Sequence, residues 1–291
     1  MSDRRKKILN AREAAVDQLL AEYARENGYR ISMKMRLRDA IDADSLPLSA
    51  KARNFLWTSH LDFVVIDMES KLPVLAVEYD GPAHATPEQA ERDQIKDHLC
   101  EDSELPLLRI DSQFARREGR WIVLKYILWA HEMGKAFYDA QERGYIPETE
   151  PFYHGSFLEK SDDGNGFTFI GLDMPAIDYL NSFREKAGAL WSGSWWRADG
   201  PRAEARDILA LPNELYLSAH CAIRNFAIRG ISALEIADEL STAELGWLAK
   251  QYAAQQPVAI GEREASQLLA DLEGWHLHAG WGKAGSPVIP D

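Results

Sequence analysis

Cysteine is nearly absent: Cys100 and Cys221 are the only two in 291 residues, far apart and outside any CxxC pair. That excludes a disulfide framework and a cysteine-built zinc site, and leaves two ordinary buried thiols. There is also no run of about twenty apolar residues, so no stretch reads as a membrane-spanning helix. The opening MSDRRKKILNAREAA runs from basic residues straight into an amphipathic pattern. It lacks the apolar core and small-residue cleavage site of a secretory leader, so the expected compartment is the cytoplasm. No repeat of fixed period is present. Positive charge is in short supply, with 33 Lys and Arg against 46 Asp and Glu, a formal net of -13. What is there, 46% hydrophobic and 27% charged residues, is enough for a substantial core, which excludes disorder and collagen-like structure.

A net of -13 argues against nucleic-acid binding unless the charge is unevenly spread, and it is. Residues 1–150 hold 22 basic and 27 acidic residues, whereas 151–291 hold 11 and 19. The first 38 residues reverse the sign, with 10 basic against 5 acidic, and a second basic cluster, ARREGR, lies at 115–120. Basic surface and an acidic pocket can therefore coexist in the N-terminal half. The run Arg4, Arg5, Lys6 and Lys7 would give salt-sensitive, sequence-independent contacts to phosphates, and its bland counterpart is a solvated terminus.

Ile8, Ala11, Ala15, Leu19 and Tyr23 recur at helical steps and predict an amphipathic helix over 3–26, ended by Asn27-Gly28. ISMKMRL at 31–37 alternates and reads as a strand at the edge of a sheet. A polar loop containing LPLSAK follows. LDFVVID at 61–67 and LPVLAVEYD at 72–80, Val-rich and separated by a short polar turn, read as a hairpin of buried strands. Thr86-Pro87-Glu88 opens a helix to about Ser103, with Ile95 and Leu99 on its apolar face. LPLLRI at 105–110 is a further strand, and 121–143 a long buried helix. A looser Trp- and Gly-rich stretch comes next. Capping boxes at Ser232–Glu235 and Ser241–Glu244 then start two consecutive short helices, in a segment expected to be helical from about 203 to 272. The division expected is 1–148, an α/β domain, and 149–291, a mainly helical accessory domain.

The hairpin brings chemistry together. Asp62 begins one strand while Glu78 and Asp80 end the next, so three carboxylates meet at one sheet end. Like charges at close range raise one another's pKa and destabilise a fold unless a cation or a reaction offsets the repulsion. Oxygen-only ligands suit Mg²⁺ or Mn²⁺ better than zinc. Beyond Gly81, His84 is a group able to move protons near neutral pH. Arg92 and Lys96, one turn apart on the next helix, are cations for a phosphate. Phosphodiester hydrolysis needs these parts.

These residues (Asp62, Glu78, Asp80, Gly81, His84, Arg92, Asp93 and Lys96) form a D...ExDGxxH...RDxxK pattern. The pattern over about 5–130 resembles the PD-(D/E)XK nuclease superfamily, most strongly its Vsr-like branch and a family of uncharacterised function that shares the ExDGxxH spacing. The resemblance implies a restriction-endonuclease-like core of helix, three strands, helix and strand. It implies a metal-dependent endonuclease in which Asp62 and Glu78 ligate Mg²⁺ or Mn²⁺, Asp80 assists, Glu13 is a further carboxylate, and His84 transfers protons. DNA is the expected substrate ahead of RNA, and DNA repair or bacterial defence against phage the expected setting. One position departs: two residues after Glu78, where the superfamily carries lysine, stands Asp80, so Lys96 is the alternative lysine.

Other features have plainer readings. ISALEIADELSTAELGWLAKQ imitates a helix-turn-helix, but Lys250 is a nearly solitary cation there, so packing explains it better. WSGSWW reads as core rather than as a base-stacking platform, and His276 and His278 bring no further ligand with them. The acidic second half is expected to contact a partner subunit, form a dimer or restrict substrate access. The rival from another class is a catalytically silent nuclease fold that binds nucleic acid or a protein. A third, an acidic mimic of DNA, leaves the carboxylate–histidine constellation without a purpose.

Overall fold

The structure, a computed structural model, describes residues 9–80, 86–160 and 166–282. In chain order the elements are α1 (Ala11–Asn27), β1 (Tyr29–Arg36), α2 (Leu37–Ala40), α3 (Ala50–Thr58), β2 (His60–Asp67), β3 (Pro73–Tyr79), α4 (Pro87–Asp102), β4 (Leu107–Ile110), β5 (Arg117–Glu118), β6 (Trp121–Ile122) and α5 (Val123–Glu142). They continue as β7 (Leu158–Lys160), β8 (Phe167–Phe169), α6 (Met174–Ala187), β9 (Trp191–Arg197), β10 (Arg202–Leu211), β11 (Leu215–Arg224), β12 (Ala227–Ile228), β13 (Ile231–Ser232), α7 (Ala233–Ala253), β14 (Ile260–Gly261), α8 (Glu262–Ala270) and β15 (His276–Gly282). The protein is a mixed α/β chain. Among the described residues no helix is long and apolar enough to cross a membrane.

Two compact units form, one of Met1–Arg116, Ile122–His131 and Phe226–Arg229, the other of Arg117–Trp121, Glu132–Asn225 and Gly230–Asp291. The division falls inside α5 rather than at the expected 148/149. One uninterrupted helix contributes its first turns to one unit and the rest to the other.

The first unit is built on a four-stranded sheet in the order β1-β2-β3-β4, antiparallel except for the parallel β3/β4 pair. The expected hairpin is β2–β3, and β1 is an edge strand. α1 is capped at both ends: Asn10 and Glu13 form a capping box, and Gly28 closes the helix at φ 75°. Its buried face is Val16, Leu20, Tyr23 and Ala24, while Ala11 and Ala15 of the expected face are exposed. Larger side chains win because burial scales with apolar area, and alanine has little. The segment expected as a polar loop holds α3, started by Ser49 accepting from Ala52 N, and its Phe55 and Leu56 enter the core. That core joins Leu61, Val64 and Ala76 of the sheet to Leu99 and Cys100 of α4. Burial pushes the Cys100 thiol up to about 12, so it stays protonated.

The second unit is not mainly helical. Residues 202–211 and 215–224, expected as helix, are the paired strands β10 and β11 in a five-stranded antiparallel sheet ordered β14-β11-β10-β9-β15. The burial of these strands alternates over Arg202–Asp207 and Leu217–Ile223, the period of a strand. Between the strands Asn213 and Glu214 both take positive φ, 63° and 57°, the conformation a tight hairpin turn demands. WSGSWW is strand β9, with Trp191 and Trp195 in the core. α7 is a single helix: the box at Ser232 and Glu235 starts it, but Ser241 is buried mid-helix and starts nothing.

α7 also carries acid into the interior. Glu239 accepts from the buried His154 at 2.7 Å and from Leu172 N at 2.9 Å, and Asp238 accepts from Ser194 Oγ at 2.8 Å. Burial, with neighbouring carboxylates, pushes Asp173 and Asp207 up to about 7. His278 stacks on Trp196 with ring centres 3.8 Å apart and lies 3.7 Å from Asp238.

Candidate functional site

Strand register assembles the site. Val64 pairs with Ala76 and Phe63 with Val77, so Asp62 and Glu78 face one another one step further along. Met33 pairs with Phe63 and Met35 with Leu61, which sets Lys34 beside Asp62, and Glu78 pairs with Arg109 across the parallel ladder. Lys34, Asp62, Glu78 and Arg109 therefore form one row across all four strands, two carboxylates between two cations. Residues directly opposite in a sheet share a face.

The two carboxylates are interlocked through backbone. Asp62 N donates to Glu78 Oε1 at 3.0 Å, and Tyr79 N donates to Asp62 Oδ2 at 2.9 Å. The remaining oxygens meet lysines: Lys34 Nζ lies 2.5 Å from Asp62 Oδ1 and 2.9 Å from Glu13 Oε1, and Lys96 Nζ lies 2.7 Å from Glu78 Oε2. Lys96 also donates to the carbonyl of His60 at 3.1 Å. Burial, reinforced by the charge of Asp62, raises the pKa of Glu78 against the pull of Lys96 and Arg109. For Lys34, burial disfavours the charged form, but the bonds to Asp62 and Glu13 outweigh it and the net shift is upward.

Arg109 organises the other side. Its guanidinium is 4% exposed and reaches Asp97 at 2.8 Å, Asp93 at 3.5 Å and Asp80 at 3.8 Å. Asp93, which also accepts from Gln89 at 2.9 Å, thus belongs with Arg109 rather than with its neighbour Arg92. Arg92 lies over the Phe55 ring at 5.7 Å. A cavity of about 180 Å³ lies here, lined by Phe55, Ser59, His60, Asp62, Glu78, Gln89, Arg92, Asp93 and Lys96.

Of the residues named from sequence, the structure brings Glu13, Asp62, Glu78 and Lys96 together, sets Asp80 against Arg109, and places Arg92 in the cavity wall. Gly81, His84, Arg4, Arg5, Lys6 and Lys7 lie outside the described residues. Lys34 and Arg109 were missed. Each had a signal: Lys34 sits on the polar side of an alternating strand, and Arg109 is a charge in the buried strand LPLLRI.

The donors are hard oxygens, the kind Mg²⁺ and Mn²⁺ take. A carboxylate has about four lone-pair positions, so the oxygens of Asp62 and Glu78 keep capacity beyond the donors they already meet. In chemistry they fit such an ion. Among the described residues, however, no group of three or more His, Cys, Asp or Glu side chains is arranged to hold a metal. Lys34 stands between two of the carboxylates concerned.

Residues 5–122 match a family described as a protein of unknown function (DUF2726), and that stretch contains every residue of the row. No curated protein and no solved structure matches the chain. Over its first two fifths, then, this chain is similar to a family whose activity is open.

Proposed function

We propose that the first unit is a metal-dependent nuclease of the PD-(D/E)XK type, acting on DNA ahead of RNA. The observation that carries the reading is the interlock of Asp62 and Glu78, opposed carboxylates on adjacent strands, each fixed by the other strand's backbone and each facing a lysine. The order α1, β1, β2, β3, α4, β4 supports it, since it matches the helix, three strands, helix and strand implied by the sequence resemblance. α2 and α3 are insertions between the first two strands.

In this reading Asp62 and Glu78 hold a Mg²⁺ or Mn²⁺ ion, with Glu13 as a further carboxylate. Such an ion lowers the pKa of water and offsets the negative charge of a phosphodiester. The protein does the remaining work. Lys96, held by Glu78 and the His60 carbonyl, presents a fixed cation at the cavity, and Arg92 offers its guanidinium from the cavity wall to the same phosphate. Asp80 assists through Arg109, keeping α4 and its cations in register with the sheet. His84 is the proton carrier, and Arg4, Arg5, Lys6 and Lys7 add contacts along the backbone of the nucleic acid. The second unit is an accessory module for self-association or a partner subunit.

The test is cleavage of plasmid, linear and single-stranded DNA and of RNA, with Mg²⁺, Mn²⁺ or EDTA, comparing wild type with folded Asp62→Ala and Glu78→Ala. Metal-dependent cutting lost in both supports the site. Cutting that survives both overturns it. The silent binding module is favoured by one observation, that lysines already neutralise the carboxylates, and it predicts nucleic-acid binding with no cutting under any of these conditions.

A further inference from the structure

We infer that Lys34 is a tethered stand-in for the divalent ion. Its ammonium holds Glu13 and Asp62 together, and the ion binds by displacing it. The inference rests on the metal-dependent reading and adds to it a positioning residue with a readout of its own.

Three observations carry it. First, the partners: the side-chain bonds of Lys34 go to Glu13 Oε1 at 2.9 Å and Asp62 Oδ1 at 2.5 Å, oxygens from α1 and β2 that also belong to the expected ligand set. Lys96 differs, because it is also anchored to the His60 carbonyl, an acceptor independent of the ligand set. Second, the backbone: Lys34 takes φ 52° in the middle of β1, a conformation that a residue with a Cβ rarely adopts. Strain of this kind persists where surrounding contacts over-determine it and gathers at functional sites. Here it falls on the residue whose ammonium bridges the two carboxylates. Third, charge and size: the Lys34 ammonium puts a positive charge between two of the three carboxylates Glu13, Asp62 and Glu78, where the ion would put its own. A Mg²⁺ ion draws its oxygens to about 2.0–2.1 Å, so an ion on the oxygens that Lys34 bridges leaves no room for the ammonium.

An ammonium in that place neutralises repelling carboxylates and keeps α1 against the sheet in the absence of metal.

The test uses the full chain, without nucleic acid. Mn²⁺ and Mg²⁺ are titrated by calorimetry, and thermal unfolding is followed with and without each ion. Wild type is compared with Lys34→Met, Lys34→Gln and Lys34→Arg. Lys51→Met is the control, removing an exposed lysine paired with Glu91. The expected result is a lower Tm for Lys34→Met without ion, ion affinity tightened by about tenfold, and a larger ion-induced Tm rise than in wild type, because a bound ligand stabilises with the logarithm of its concentration over Kd. Lys34→Arg keeps a cation and stays near wild type, and Lys51→Met stays within about twofold, since long-range charge alone is screened. Should Lys34→Met not fold, Lys34→Gln is read in the same way. A crystal of wild type soaked in Mn²⁺ gives a second reading: Nζ withdrawn from Glu13 and Asp62 supports the inference, and Nζ still between them overturns it. Equal or weaker ion binding in Lys34→Met overturns the inference and leaves the metal site standing. No heat and no Tm shift in any protein overturns both.

Discussion

Lys96 Nζ lies 2.7 Å from Glu78 Oε2, joining α4 to the strand that carries the most buried carboxylate of the site. Glu78 is 8% exposed, and burial raises its pKa, so the lysine neutralises a charge largely withdrawn from water. Removing one member of such a pair strands the other. Lys96→Met is therefore expected to destabilise the first unit by about 3–5 kcal/mol. Glu78→Gln with Lys96→Met is expected to cost clearly less than the sum of the two single changes, because the double variant leaves no buried charge alone. Denaturant unfolding of all four proteins completes the cycle. Additive losses would show that the pair is not coupled.

The left-handed backbone at Lys34 is separable from its ammonium. Lys34→Ala and Lys34→Gly both delete the cation, and only alanine keeps the Cβ that φ 52° disfavours. In an ordinary strand interior glycine is the less stable residue. Here the order is expected to reverse, with Lys34→Gly more stable than Lys34→Ala by about 1 kcal/mol. Chemical denaturation midpoints of the two variants settle it, and the ordinary order would remove the strain from the argument.

The legible part of the site was the part written in local pattern. Two Val-rich runs joined by a short polar turn read as a hairpin, and that pairing sets Asp62 opposite Glu78. Lys34 and Arg109 depend on register between strands distant in sequence, and on β3 pairing in parallel with β4 across α4, which no local spacing reveals. α3 was hidden for a different reason. It is short, and it is held by a Ser49 cap and by packing of Phe55 and Leu56. β10 and β11 illustrate the limit of composition. Ala, Leu and Glu are good helix formers, but propensity is a weak force beside pairing, and ten cross-strand pairs joined by a three-residue turn override it.

The interior of the second unit makes its stability depend on pH in a definite sense. Asp173 and Asp207 are raised from 3.8 to about 7, chiefly by burial, so their contribution is fully present below about pH 4 and is lost as pH rises through 7. Burial disfavours charge on His154, but its bond to Glu239 and the neighbouring carboxylates outweigh it and raise its pKa above 6.5, so its contribution is fully present below 6.5 and is lost as pH rises through the raised folded-state value. Glu204 and His220, lowered, act in the opposite sense but are more exposed. The Tm of the second unit's transition is expected to fall from pH 5 to pH 8. Asp207→Asn keeps an acceptor for Thr242 and removes the titration, so its slope is expected to be shallower. An unchanged slope would exclude Asp207 as a source.

α6 and α7 approach so closely at one point that a methyl group does not fit. A Cβ built on Gly246 would lie 2.5 Å from Cβ of Ala176 and 3.0 Å from its Cα, and both residues are buried. In an open helix interior, glycine to alanine stabilises by about 1 kcal/mol. Gly246→Ala is expected to do the reverse, destabilising by about 1–3 kcal/mol, because the helices must separate or strain. Ala176→Gly in the same chain removes the atom that is struck. The double variant is therefore expected to recover most of the loss, although Ala176→Gly alone costs stability. Thermal unfolding of the four proteins gives the coupling. A stabilising Gly246→Ala would mean that the two helices pack further apart than the 2.5 Å approach implies.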